Sequence, residues 1–271
     1  MVSDVLKRNV VNVEGDTTSP HTVIFSHGFG SNQSAWNLVK PAFKQGYKLI
    51  AFDHAGAGNT DLTYFSPVKY QSLEAYALDL IEICHSLHLK DAVFVGHSAG
   101  AMIGLLASLS APELFSKLVL IGASPRYLND SDYIGGFTQE ALDGLYAAMQ
   151  TDYLEWASGF SRLAMRNEKR PELAAAFAKS LRSLRPDIAL SVARSIFQSD
   201  YRHILPHVKK DVLLIQSQND IAVPKEAATY LHHHINGSRL NYIDAEGHFP
   251  HISAPGKITS CIQEFVELQV A

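Results

Sequence analysis

The stretch that most constrains this chain is Val93-Phe94-Val95-Gly96-His97-Ser98-Ala99-Gly100-Ala101-Met102. An apolar, β-branched run ends in Gly-x-Ser-x-Gly, and a helix-compatible run from Ala101 to Ser110 follows. A strand that turns this abruptly into a helix needs backbone approaches that side chains obstruct. Glycines at 96 and 100 leave that room. Ser98 then stands exposed above the C-terminal edge of a sheet. The first amides of the new helix face whatever lies against it. In this context Ser98 reads as a nucleophile. The plainer alternative is an ordinary strand-to-helix loop with a capping serine.

Other apolar runs surround this one: Val10 to Val13 as an edge strand, His21 to Ser26, Lys48 to Asp53, Lys117 to Gly122, Asp211 to Gln216 and Asn241 to Ile243. Leu73, Ala77, Leu80, Ile81, Cys84 and Leu87 have helical spacing, and Ile258 to Leu268 reads as a closing helix. Continuous apolar strands alternating with amphipathic helices predict an α/β fold with a mainly parallel sheet covered on both faces. The alternation breaks between about residues 129 and 199. There Thr138 to Gln150, Asp152 to Met165, Pro171 to Leu184 and Pro186 to Gln198 read as four helices. Pro171 and Pro186 each suit a first helical position, and each precedes an acid. The expected organisation is a core over 1–128 and 200–271 with a helical lid over 129–199. The alternative packs those helices on the flank of the sheet.

The 271 residues are 46% hydrophobic, enough for one sizeable core. A net charge of -4 gives no nucleic-acid footprint. No apolar run is long enough to span a membrane, and the N-terminus lacks a signal core. Cys84 and Cys261 are too few for a disulfide framework, so a reducing, cytoplasmic setting is expected. His232-His233-His234 point in different directions on a helix and make no metal site alone. Gly56-Ala57-Gly58 lacks the third glycine of a dinucleotide fingerprint. Neither a metal nor a cofactor is implied.

A serine hydroxyl needs a base to become a useful nucleophile. Position selects one of the 13 histidines. His248 follows the last strand in Ala245-Glu246-Gly247-His248-Phe249-Pro250. Asp220 follows the preceding strand in Ser217-Gln218-Asn219-Asp220 and would orient the imidazole. The order Ser98, Asp220, His248 is that of an α/β-hydrolase triad. Separately, Asp220 could cap the helix near Pro224, and His248 could be a loop histidine. The backbone N–H groups of Ala99 and Phe29 are the candidate oxyanion donors. His27 reads as a brace for the His27-Gly28-Phe29-Gly30 loop.

Several stretches then carry a resemblance: His27-Gly28-Phe29-Gly30 with Gln33-Ser34-Ala35-Trp36, Val95-Gly96-His97-Ser98, Pro112 to Lys117, Ser124 to Asp130, and Gly135-Gly136-Phe137. From about residue 8 onward the chain resembles the α/β-hydrolase group containing the bacterial stress-response regulator RsbQ and the plant karrikin and strigolactone receptors. The resemblance implies a V-shaped four-helix lid over a small apolar pocket. That pocket would be lined by Phe29, His97, Tyr127, Trp156, Phe160, Val192 and Phe197. It implies a slow serine hydrolase of a small apolar ester or lactone, with a signalling role and a PAS-domain phosphatase as partner, upstream of a stress sigma factor. Two other readings stay open. One is a ligand sensor acting through a protein partner with little turnover; the other is a cofactor-free haloperoxidase-like enzyme. Ala99-Gly100 departs from the valine and serine usual in the plant receptors, and Arg182 stands where they carry an aromatic.

Overall fold

A computed structural model describes residues 4–267. The strands are β1 (Asn12–Gly15), β2 (Thr22–Ser26), β3 (Lys48–Ala51), β4 (Ala92–His97), β5 (Phe115–Ile121), β6 (Asp211–Asn219) and β7 (Arg239–Glu246). They form one sheet of seven strands in the order β1-β3-β2-β4-β5-β6-β7. Every pairing is parallel except β1 with β3. Among the helices, α1 (Asp4–Arg8), α2 (Leu73–Ser86), α3 (Ala99–Ser110), α8 (Lys225–His234), α9 (Pro250–Ser253) and α10 (Pro255–Glu267) accompany the sheet. Between β5 and β6 lie α4 (Gln139–Thr151), α5 (Tyr153–Met165), α6 (Pro171–Arg182) and α7 (Pro186–Phe197). This is the α/β-hydrolase fold expected from the sequence. The predicted Leu268 end of the last helix lies outside the described residues.

Strand periodicity divides the core. Ile24, Ile50, Phe94, Leu118 and Leu214 point to one face, against α2 and α3. Their neighbours Val23, Leu49, Val95, Val119 and Leu213 point to the other, against Trp36, Phe43 and α10. Both faces are covered, so the central strands are buried at every position of β2 and β4. Lys117 is the exception within the apolar run of β5. Its ammonium donates to Phe265 O at 2.7 Å and Val266 O at 3.1 Å, satisfying carbonyls at the end of α10.

The edge strand sits two residues later than the alternation suggests, at 12–15 rather than 10–13. Pairing to β3 sets its register, Asn12 opposite Ala51, and Val10 instead forms a turn at φ 46°. Both prolines do open helices, at the first position of α6 and of α7. The segments entering and leaving the inserted helices are tied to each other. Tyr201 N–H donates to Pro125 O at 2.8 Å, and Arg126 and Arg202 both pair with Asp200.

Candidate active site

Ser98 stands between β4 and α3 at φ 54°, ψ −123°. L residues rarely adopt such angles, and surrounding contacts must hold them. Ser98 N–H donates to Ile121 O at 2.8 Å, tying the turn to the end of β5. A Cβ on Gly96 would come 2.7 Å from Ala101 Cα, and one on Gly100 2.3 Å from His27 O. The glycines therefore permit the crossing of strand and helix that the sequence suggests.

Two further strand ends converge here. Asp220 follows β6, and Gly247-His248 follow β7. His248 Nε2 lies 2.8 Å from Ser98 Oγ, and His248 Nδ1 lies 2.8 Å from Asp220 Oδ2. The Asp220 side chain is 1% exposed. Its other oxygen, Oδ1, accepts from the amides of Ala222 and Val223 at 2.8 and 3.1 Å. Those bonds close a turn ahead of α8, whose N-cap is Pro224 and takes no side-chain bond, so Asp220 orients the ring without capping that helix. Gln216 Nε2 adds a bond to Oδ2 at 3.2 Å.

The backbone of His248 is fixed as well. Its N–H donates to Ala164 O in the last turn of α5, at 2.7 Å. Its carbonyl accepts from His97 Nε2–H at 2.7 Å. His97 is fully buried, and its ring lies tilted against those of His248, Phe249 and His251. Burial, with His251 and His248 alongside, holds it well below the ordinary histidine range, so it stays neutral.

The loop at Gly28 packs directly on this turn. A Cβ there would lie 2.7 Å from His97 Nδ1 and 3.1 Å from Ser98 Cβ. His27 braces it: Nδ1–H donates to Gly28 O at 2.9 Å, and Nε2 accepts from His54 N–H at 3.0 Å. The Ala99 amide opens α3, where a helix leaves its first N–H groups without partners inside the helix.

Above Ser98 lies a small cavity. Phe29, His97, Tyr127, Phe160 and Phe197 border it, as the resemblance implies. Tyr127 Oη is 3.4 Å from Ser98 Oγ. Trp156 and Val192 are not among its walls. Trp156 stacks on Phe160, with ring centroids 5.1 Å apart. Val192 borders a different cavity. Ile196, Ala222 and Phe249 take part instead. Gly122 is another contributor that sequence reasoning missed. It has φ 57°, and a Cβ on it would lie 3.2 Å from His248 Cε1 and 3.6 Å from Asp220 Oδ2. Its signal was a glycine closing a buried strand. Among the described residues no three His, Cys, Asp or Glu side chains converge as metal ligands. Within that same set, no helix is long and apolar enough to cross a membrane.

This geometry can carry a proton from a serine hydroxyl to an imidazole steadied by a carboxylate, at the base of an apolar cavity. Known proteins share the whole frame. The karrikin insensitive 2 receptor CA of Petunia hybrida is 43% identical, covering 96% of this chain and 97% of its own. A strigolactone esterase of Pisum sativum is 44% identical over 94% of this chain and 95% of its own. The solved structure of a hydrolase from Oleispira antarctica superposes with a TM-score of 0.93 at 34% identity, covering 97% of this chain and 96% of that one. Residues 21–255 match the family described as alpha/beta hydrolase fold, and the chain belongs to that family.

Proposed function

We propose that the protein is a serine hydrolase of small apolar esters or lactones, with Ser98 as nucleophile, His248 as general base and Asp220 as the residue orienting it. The observation that carries this reading is the unbroken chain from Ser98 Oγ to His248 Nε2 and from His248 Nδ1 to Asp220 Oδ2, each step 2.8 Å. Ser98 Oγ attacks the ester carbonyl as His248 Nε2 takes the hydroxyl proton. The carbonyl electrons move to oxygen, where the amides of Phe29 and Ala99 receive them. Collapse of the tetrahedral intermediate expels the alcohol, protonated by His248, and leaves an acyl-Ser98. Water, deprotonated by the same imidazole, then releases the acid. From a lactone the alcohol and acid are one molecule. Strigolactone esterases among the relatives support this substrate class.

An alkylphosphonate probe tests the assignment. It should label Ser98 alone, and Ser98→Ala should abolish both labelling and turnover, by on the order of 10⁶ in kcat. Labelling that survives the substitution would move the nucleophile elsewhere.

A signalling role is a second reading. It is favoured by the bond from His248 N–H to Ala164 O, which joins the inserted helices to the reacting histidine. A lid over 129–199 that shifts with the occupant of the pocket would present a changed surface to a partner. Arg162, Arg166 and Lys169 stand near the exposed Leu163 on that surface. The partner implied by the RsbQ resemblance is a PAS-domain phosphatase. Charge reversal at those positions should weaken its binding while esterase activity persists. Equal binding by wild type and reversal variants would reject the surface.

A further inference from the structure

Tyr127 stands beside the nucleophile with a hydroxyl that the chain from Ser98 to His248 and Asp220 does not use. It borders the same cavity as Ser98 and His248 and is 2% exposed. Among the described residues, Ser98 Oγ is the one hydrogen-bond partner of its hydroxyl, at 3.4 Å. The Ser98 hydrogen is directed to His248 Nε2, 2.8 Å away, so Tyr127 is the donor and a lone pair of Oγ the acceptor. Burial raises the proton affinity of the Tyr127 oxygen, so the residue keeps its hydrogen while His248 titrates.

The ring is held in this position. Phe197 meets it edge-on, with centroids 5.0 Å apart and planes at 72°. Tyr127 O accepts from Phe137 N–H at 3.1 Å, and Phe137 packs in turn on Phe197. A Cβ on Gly135 would come 2.5 Å from Tyr127 C and O, so only a glycine lets that loop lie so close. The Gly135-Gly136-Phe137 stretch thus clamps the backbone of Tyr127.

Strand order decides which reacting oxygen the hydroxyl meets. β4, which ends at Ser98, lies between β2 and β5. The loop of Phe29 follows β2. Tyr127 follows β5, on the other flank of Ser98, where β6 and β7 deliver Asp220 and His248. The leaving oxygen belongs on that flank, because His248 Nε2 protonates it. At 3.4 Å the bond to Oγ is long, as catalytic hydrogen bonds often are before substrate arrives. Once Oγ is joined to the acyl carbon it becomes a poorer acceptor. The leaving oxygen, gaining negative charge, becomes a better one.

We propose that Tyr127 is a further catalytic residue, whose hydroxyl donates a hydrogen bond to the leaving oxygen of the ester or lactone as the acyl C–O bond breaks. This role rests on the hydrolase reading above. The electron pair of that bond goes to the leaving oxygen, the proton comes from His248 Nε2, and Tyr127 keeps its own proton. In the second half of the reaction the attacking water takes the place of the leaving oxygen and meets the same hydroxyl. The benefit is largest where the leaving alcohol is strongly basic, as in alkyl esters and aliphatic lactones, because more charge then gathers on its oxygen. A nitrophenolate spreads its charge without help.

The test compares wild type with Tyr127→Phe, which removes one oxygen, on acetate esters of p-nitrophenol, phenol, trifluoroethanol and ethanol. The readout is kcat/KM, which reports acylation. The p-nitrophenyl ester should lose about threefold and the ethyl ester about a hundredfold, the scale of a hydrogen bond to a charged oxygen. A plot of log kcat/KM against the pKa of the alcohol should therefore be steeper in the variant. That slope does not depend on how much of the variant is folded. A merely structural role would shift every ester alike. Parallel lines, or no loss at all, would overturn the role of Tyr127 and leave the hydrolase standing where a phosphonate still labels Ser98. A wild type that takes no phosphonate at Ser98 would overturn both.

Discussion

Every polar atom of His248 is engaged: Nε2 with Ser98, Nδ1 with Asp220, N–H with Ala164 and the carbonyl with His97. An imidazole so fixed cannot swing to a second position, and its tautomer is set by the carboxylate. Asp220→Asn should therefore keep the fold and lower kcat by roughly 10⁴, as the same change does in the serine-protease template. An unchanged rate on a p-nitrophenyl ester would reassign the acid. Gly122→Ala is expected to be a quieter lesion. Its methyl would press 3.2 Å from the His248 ring at a backbone angle of φ 57°. A displacement well under 1 Å should cost about tenfold in kcat, with KM nearly unchanged. A wild-type kcat would show that the ring yields freely. The three candidate residues were legible from the strands they follow: Ser98 and Asp220 come directly after buried strands, and His248 comes one glycine after the last strand. Gly122 was not, because a glycine after a strand has many uses and only the position of His248 singles this one out.

At the scale of elements, the cavity wall is assembled from distant segments. Phe29 comes from the loop after β2, Tyr127 from the stretch after β5, Phe160 from α5, Phe197 from α7 and Phe249 from the loop after β7. Aromatic rings leave the space above Ser98 short. Acetate and butyrate esters should be cleaved, and palmitate esters should be at least 100-fold poorer in kcat/KM, a discrimination of the size a few misfitted methylenes produce. Phe160→Ala should extend the accepted chain by several carbons. Equal rates for butyrate and palmitate in the wild type would mean an open groove. α6 and α7 were readable from the prolines that open them. Which side chains reach the cavity was less so: Trp156 and Phe160 are one turn apart on α5, and only the placement of α5 decides that Phe160 faces Ser98. The edge strand slipped for a related reason, since its register comes from β3 rather than from its own alternation.

The whole molecule carries several buried imidazoles. His27, His54, His97 and His251 are all nearly inaccessible. Burial, reinforced by His248 and His27, pushes His251 down to about 3. In the unfolded chain such a ring takes a proton below about pH 6.5. The folded state refuses it, so the unfolded state binds more protons across that window. Stability must then fall as pH drops from about 6.5 toward 3, by up to ~1.4 kcal/mol per unit for each such ring. Urea midpoints should decline between pH 7.5 and 5. His251→Leu should flatten that decline, whatever it does to the midpoint at pH 7.5. An identical slope would show that His251 is not neutral in the fold. A different expense is written into the turn at Ser98, whose φ of 54° a glycine would adopt freely. Backbone angles this sparsely populated cost an L residue about 1–3 kcal/mol. A lineage of this protein released from catalysis would gain that much by drifting to glycine at position 98. Persistence of serine there in descendants would then be a record of selection for turnover, legible even where no substrate is known.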